Sequence, residues 1–162
     1  MNFNDKTALV TGSGSGIGRA IAVLLAEAGA NVVINDVTRK DVEGSVQEIQ
    51  TLGRRAFPVV ADVSVQTEVR RMFEQATAEF GTIDILVNNA GITSDGFLMK
   101  MAEAQWDRVL DVNLKGVFNC CQVCARLMSE HQYGKIVNIA SASAQMGNVG
   151  QVNYAASKGG GD

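Results

Sequence analysis

The sequence is poor in the residues from which metal and redox centres are built. It has one histidine, His131, and three cysteines, Cys120, Cys121 and Cys124, all in the stretch FNCCQVCARLM. Cys121 and Cys124 form a C-x-x-C, but a zinc site needs a second such pair or several nearby histidines. The thiols fall inside a helical apolar pattern, where small apolar side chains pack, so the expectation is a buried helix face and no metal site. His131, between Glu130 and Gln132, reads as a solvated residue near a helix end. An excess of positive charge is also lacking. Lys and Arg number 14 against 17 Asp and Glu, a formal net charge of −3, which argues against nucleic acid or an anionic membrane as the main partner. No apolar run approaches the roughly 20 residues of a membrane span, and MNFNDKTALV lacks a signal-peptide pattern. A cytoplasmic protein is the expectation.

What is present is alternation. Short β-rich runs occur at Thr7–Val10, Asn31–Asn35, Ala56–Val60, Ile83–Asn88 and Lys135–Ile139. Segments of helical period lie between them, at Ile17–Ala28, Val42–Leu52, Thr67–Phe80 and a long one from about Glu103 to Glu130. Val69, Met72, Phe73 and Ala76 recur at i, i+3, i+4 and i+7, a helical stripe. Gly29, Gly53 and Gly81 stand where helix C-terminal caps belong. Strand and helix repeated in this way predict right-handed crossovers and a parallel sheet with helices on both faces. The unbroken apolar runs VVI and ILV suit strands buried on both sides.

In such a sheet ligands bind beyond the C-terminal strand ends, and each end here carries a polar or glycine-rich element. TGSGSGIG follows the first strand and opens a helix, so its glycines let backbone approach a pyrophosphate while the helix N-terminus offers N–H groups and partial positive charge. Its spacing is G-x-x-x-G-x-G over Gly12, Gly16 and Gly18, distinct from the common G-x-G-x-x-G. Asp36 ends the second strand, where a carboxylate accepts from adenosine ribose hydroxyls and repels a 2′-phosphate. NAD(H) is favoured on that ground, while Arg39 and Lys40 nearby keep NADP(H) open. Asp62-Val63, Asn88-Asn89-Ala90-Gly91 and Ser141 follow the remaining strands. Tyr154 and Lys158 stand one helical turn apart in NYAASKGGGD, a phenol and an ammonium on one face.

Together these elements resemble the short-chain dehydrogenase/reductase family. TGSGSGIG matches T-G-x-x-x-G-x-G, and NNAG, Asn113, Ser141 and the Y-x-x-x-K of Tyr154 and Lys158 follow in the family's order. Within the family, GITSDGFLMKMAEAQWDRVLDVNLKGVF and MGNVGQVNYAASKGG look most like the matching stretches of 3-oxoacyl-[acyl-carrier-protein] reductases. The resemblance implies a Rossmann-like, doubly wound α/β sheet of about five strands in the order 3-2-1-4-5, with residues 1–162 as a single dinucleotide-binding domain. It implies hydride transfer between a nicotinamide cofactor and a ketone or secondary alcohol, with a small-molecule or acyl-thioester substrate and a homo-oligomeric assembly through the long fourth helix.

The resemblance also assigns roles. Tyr154 would be the acid, Lys158 would hold the nicotinamide ribose and favour phenolate, Ser141 would bond the substrate oxygen, and Asn113 would hold a water that resupplies protons. Gly12, Ser13, Ser15, Gly16, Ile17 and Gly18 would cradle the phosphates. Asp62 and Val63 would flank adenine, and Asn89, Ala90 and Gly91 would line the nucleotide. Phe97, Leu98, Met99 and Met101 suit either a substrate mouth or core packing. Family members continue well past the Y-x-x-x-K, so the expected fold lacks their C-terminal strands, its last helix runs from about Tyr154 to Gly159, and its fifth strand is an edge. A nucleotide-binding fragment or assembly module without turnover is the second expectation. A dehydrogenase of another alcohol, a sugar or a steroid is the third.

Overall fold

The computed structural model describes residues 2–161. Five strands, β1 (Thr7–Val10), β2 (Asn31–Asp36), β3 (Ala56–Val60), β4 (Ile85–Asn88) and β5 (Lys135–Asn138), form one sheet in the order β3-β2-β1-β4-β5. All pairings are parallel, and Leu9 at the centre sits between Val33 and Leu86. The expected strand order and doubly wound α/β architecture are both present.

Because successive strand residues point to opposite faces, the sheet carries two separate cores. On one face Ala8, Val10, Val32 and Ile34 meet Ala22 and Ala26 of α1 (Gly16–Glu27) and Val42 and Ile49 of α2 (Arg39–Thr51). On the other, Leu9, Val33 and Leu86 meet the predicted stripe Val69, Met72, Phe73 and Ala76 of α3 (Gln66–Phe80). This second core also receives Cys120, Cys124 and Met128 from α5 (Gly116–Glu130). Two of the three cysteines are therefore core residues, and Cys121 is half-buried. His131 caps the C-terminal end of α5 and is exposed. Gly29, Gly53 and Gly81 follow the first three helices with φ of 111°, 72° and 83°, the left-handed geometry a cap requires.

The long segment from Glu103 to Glu130 is helical throughout but not uniformly α-helical. It runs as α4 (Glu103–Leu110), a π-helical turn (Asp111–Lys115), and then α5. The widened turn carries adjacent residues Val112 and Asn113 inward together, at 7 % and 1 % exposure. Regular helical spacing would separate two neighbours by about 100° around the axis. Three short pieces complete the fold: a 3₁₀ turn at Leu98–Lys100, α6 (Ser143–Met146) and α7 (Val152–Gly159).

The two ends of the sheet differ. β3 carries Pro58, which an edge strand accommodates because it needs no inward-facing N–H at that position. β5, the other edge, is exposed along its whole length, with Ile136 and Val137 accessible. Among the described residues no helix is long and apolar enough to cross a membrane.

Candidate active site

The glycine-rich turn after β1 is held from below by the turn after β4. Thr11 Oγ1 accepts from the backbone amides of Asn89 and Ala90, both at 3.0 Å. Asn89 Nδ2 in return donates to the carbonyls of Thr11 at 2.9 Å and Gly12 at 3.1 Å. The two turns approach so closely that a Cβ on Gly12 would lie 2.8 Å from Ala90 Cα, and Gly12 itself has φ +61°. A side chain on Gly18 would run into the Gly12 carbonyl. At Gly16, by contrast, nothing lies within 4 Å of the corresponding position. The cradle is tight beneath and open in front, where the first N–H groups of α1 have no intrahelical partners.

That open side is one wall of a cleft of ≈ 520 Å³ beyond the C-terminal ends of the strands. The first loop contributes Gly12, Ser15, Gly16, Ile17 and Gly18. Asp36 from β2, Asp62 and Val63 after β3, and Asn89, Ala90 and Gly91 after β4 line it further. Tyr154 and Lys158 of α7 close the far end. Ser13, expected in the phosphate cradle, is fully buried and not part of this wall. Its hydroxyl donates to the Val10 carbonyl at 2.6 Å and accepts from the Asn35 amide at 3.1 Å, so it braces β1 against β2. A larger hollow of ≈ 670 Å³ lies outside β3, between Arg39, Phe57, Arg71 and Glu79, and contains none of the predicted site residues.

Asp36 is strapped to the glycine turn. Its carboxylate accepts from Gly14 N at 3.1 Å and Val37 N at 2.8 Å, and a Cβ on Gly14 would press within 2.8 Å of it. Asp62 accepts from the amide of Ser64 at 2.9 Å, its hydroxyl at 2.6 Å, and Arg108 at 3.1 Å. Burial works against its ionisation, but the bonds from Ser64 and Arg108 outweigh it and hold the carboxyl below its usual value.

Lys158 is 7 % exposed, and its Nζ donates to the Ile139 carbonyl at 2.7 Å. Burial lowers its pKa. Asn113 is committed on both sides of its amide. Oδ1 accepts from Ile92 N at 2.8 Å, and Nδ2 donates to Ile92 O and Ser157 Oγ, each at 3.0 Å. Ser157 in turn donates to the Tyr154 carbonyl at 2.8 Å, which links the π-helical turn to α7. Glycine at 91 keeps this corner open, since a Cβ there would sit 3.3 Å from Asn113 Oδ1 and 3.6 Å from Lys158 Nζ. Neither Asn113 nor Ser141 lines the cleft. Ser141 lies three residues past β5, where its Oγ accepts from Ser143 N at 3.2 Å and starts α6.

Several cleft residues escaped the sequence reading: Asn35, Val37, Ala61, Ile92, Thr93, Arg108, Val112 and Ile139. Ala61 and Ile139 directly follow strands, so the strand-end rule applied one residue more widely would have found them. Arg108 gives no such signal, because it lies mid-helix and reaches the cleft only through packing. Phe97, Leu98 and Met99 are strongly exposed, at 64 %, 69 % and 94 %, which overturns the core reading for those three, while Met101 is half-buried.

The fold and the cleft define a doubly wound α/β protein whose cleft is lined by a Y-x-x-x-K. The sequence profile described as short chain dehydrogenase matches residues 6–162, and the chain belongs to that family. It is 48% identical over 157 residues to 3-oxoacyl-[acyl-carrier-protein] reductase FabG of Staphylococcus epidermidis, covering 96% of this chain and 64% of the relative. The reductase of the same name from Thermotoga maritima is 42% identical over 160 residues, covering 99% of this chain and 65% of the relative. The solved structure of a levodione reductase superposes with a TM-score of 0.95 at 36% identity, over 98% of this chain and 63% of that one. The chain thus spans just under two thirds of the length of these relatives.

Proposed function

We propose that this chain carries the cofactor site and the proton-transfer groups of an NAD(P)-dependent oxidoreductase, acting on a ketone or secondary alcohol and most specifically on a 3-oxoacyl thioester. One observation carries the reading. The glycine cradle, Asp36, Asp62 and the Tyr154–Lys158 pair, which are distant in sequence, share a single cleft. The cradle fits a pyrophosphate, because Gly16 faces open space at a helix N-terminus while Gly12 and Gly18 exclude side chains from beneath. Asp36 supports NAD(H) over NADP(H), as a fixed carboxylate beside the ribose repels a 2′-phosphate.

Bound there, the reduced nicotinamide would supply the hydride. The protein's own part is the proton and the alignment. Tyr154 donates to the substrate oxygen as charge builds on it. The Ile139 carbonyl holds the Lys158 ammonium at the cleft wall. Ser141, half-buried on the loop after β5, would rotate toward the cleft to donate to the same oxygen. The Asn113 side-chain amide bonds Ile92 and Ser157, and a relay water beside it would complete the proton supply. Assembly into a homo-oligomer in the cytoplasm, through the α4–α5 face that exposes Phe118, belongs to the same proposal.

The test is oxidation of NADH and of NADPH by the purified chain with an acetoacetyl thioester, beside Tyr154→Phe. Turnover with NADH preferred, reduced at least about a hundredfold by the substitution, is the expected result. Nucleotide binding without turnover in a folded sample would refute the enzyme reading and leave a binding module. Turnover of a simple alcohol but no thioester would refute the substrate class alone.

A further inference from the structure

Among the described residues the Tyr154 phenol bonds no protein group, so the main chain beneath it decides where the ring points. Both polar groups of that main chain are gripped by buried side chains. The C=O accepts from Ser157 Oγ, and the N–H, which a first helical turn leaves without an intrahelical partner, donates to Asn153 Oδ1 at 2.8 Å. Asn153 is 0 % exposed. Its Nδ2 reaches the other way, donating to the carbonyls of Ser94 at 3.0 Å and Gln105 at 3.3 Å. A flipped amide would set like groups against each other at all three contacts, so this orientation is fixed.

Ser94 belongs to the loop after β4, and Gln105 to the first turn of α4. One side chain therefore ties the first turn of α7 to a second loop and a second helix. The same loop is stitched further, by Gln105 Nε2 to Ser94 Oγ at 3.3 Å and by Gln151 Nε2 to Asp95 Oδ2 at 3.1 Å. Such anchoring matters because α7 has only eight residues, and helices below about 12 residues do not hold themselves. Asn153, Ser94 and Gln105 all lie outside the cleft lining. We propose that Asn153 is a positioning residue for proton transfer, fixing the first turn of α7 against Ser94 and Gln105 and so setting the reach of the Tyr154 phenol toward the substrate oxygen. The inference rests on the oxidoreductase reading above. Its removal spares the nucleotide end, because the glycine cradle, Asp36 and Lys158 are held by other bonds.

The test is reduction of an acetoacetyl thioester by NADH in light and heavy water, with calorimetric NADH binding, for the wild type, Asn153→Ala, Asn153→Asp and Asn153→Ser. Asn153→Ala should lower kcat about ten- to a hundredfold, the effect of a small misplacement at a reacting group, with KM and the NADH Kd within about twofold. The solvent isotope effect on kcat should rise, because a misplaced donor makes proton transfer more limiting. Asn153→Asp keeps the acceptor for the Tyr154 N–H but opposes a carboxylate to two carbonyls, so it should be at least as slow. Asn153→Ser, whose hydroxyl can donate to one carbonyl, should fall between and carries the same test should Asn153→Ala fail to fold. A merely structural role would shrink the folded fraction seen by circular dichroism and leave the isotope effect unmoved. An unmoved isotope effect, a kcat within about threefold of wild type in folded Asn153→Ala, or wild-type turnover by Asn153→Asp overturns the proposal while leaving the oxidoreductase reading intact. A folded wild type that binds NADH without turnover overturns that reading and this one with it.

Discussion

Replacing Asn113 by alanine isolates the lock between the π-helical turn, the loop after β4 and α7. Asn113 is 1 % exposed and makes three side-chain hydrogen bonds, at 2.8, 3.0 and 3.0 Å. Truncation orphans the N–H and C=O of Ile92 and removes the donor to Ser157 Oγ, which lies at 0 % exposure. Each lost bond is worth about 1 kcal/mol net, and more where the abandoned group stays buried. Ile92 is only half-buried, so water can take over part of its loss. The sum is about 2–4 kcal/mol, a large fraction of the 5–15 kcal/mol typical of a domain. In urea the unfolding midpoint should fall by about 1–2 M with an unchanged slope. Asn113→Asp keeps the acceptor for Ile92 N but loses both donations and buries a charge, so it should cost at least as much. A midpoint within about 0.3 M of wild type for Asn113→Ala would refute the lock.

The cradle can be probed by two alanine substitutions. Gly12→Ala meets both a left-handed φ of +61° and the Ala90 backbone. It should lose about 2–5 kcal/mol in a thermal melt, from roughly 1–2 of strain and 1–3 of overpacking. Gly16→Ala, at φ +54° with open space, should lose the strain alone; equal losses at the two positions would contradict the close approach of the loops. Thiol labelling tests the cysteine placements: with Ellman's reagent the native protein should react at Cys121 well before Cys120 and Cys124, and all three should react together in denaturant. Burial, with the neighbouring Cys121 adding to it, pushes the Cys124 thiol from its ordinary 9.0 up to about 12. The unfolded chain therefore releases this proton first as pH rises, so stability should decline from pH 9 toward 12, and Cys124→Ala should flatten that decline. A slope unchanged by the substitution would assign the decline to other groups.

The parallel sheet with helices on both faces was legible in the sequence because it follows from local pattern and chirality, and its strand order came with the family resemblance. Apolar runs of VVI and ILV type, glycine caps after three helices, and right-handed crossovers leave few alternatives to a doubly wound parallel sheet. The glycine turn, Asp36 and the Y-x-x-x-K were legible for a similar reason, since each is a short motif at a strand end or on one helical turn. What pattern could not disclose was which polar groups spend their hydrogen bonds on the protein. Ser13 sits in the motif yet braces two strands, and Asn113 sits mid-helix yet serves Ile92 and Ser157. The π-helical turn that carries Asn113 inward leaves no periodic trace, because one widened turn shifts the helical phase only locally. Arg108 reaches the cleft through contacts between residues far apart in the chain. The sequence by itself determined the framework and the short motifs, since these are local in the chain and repeat with it. Tertiary structure alone decided which side chains face the cleft and which are consumed beneath it, because that depends on where distant backbone carbonyls and amides come to rest.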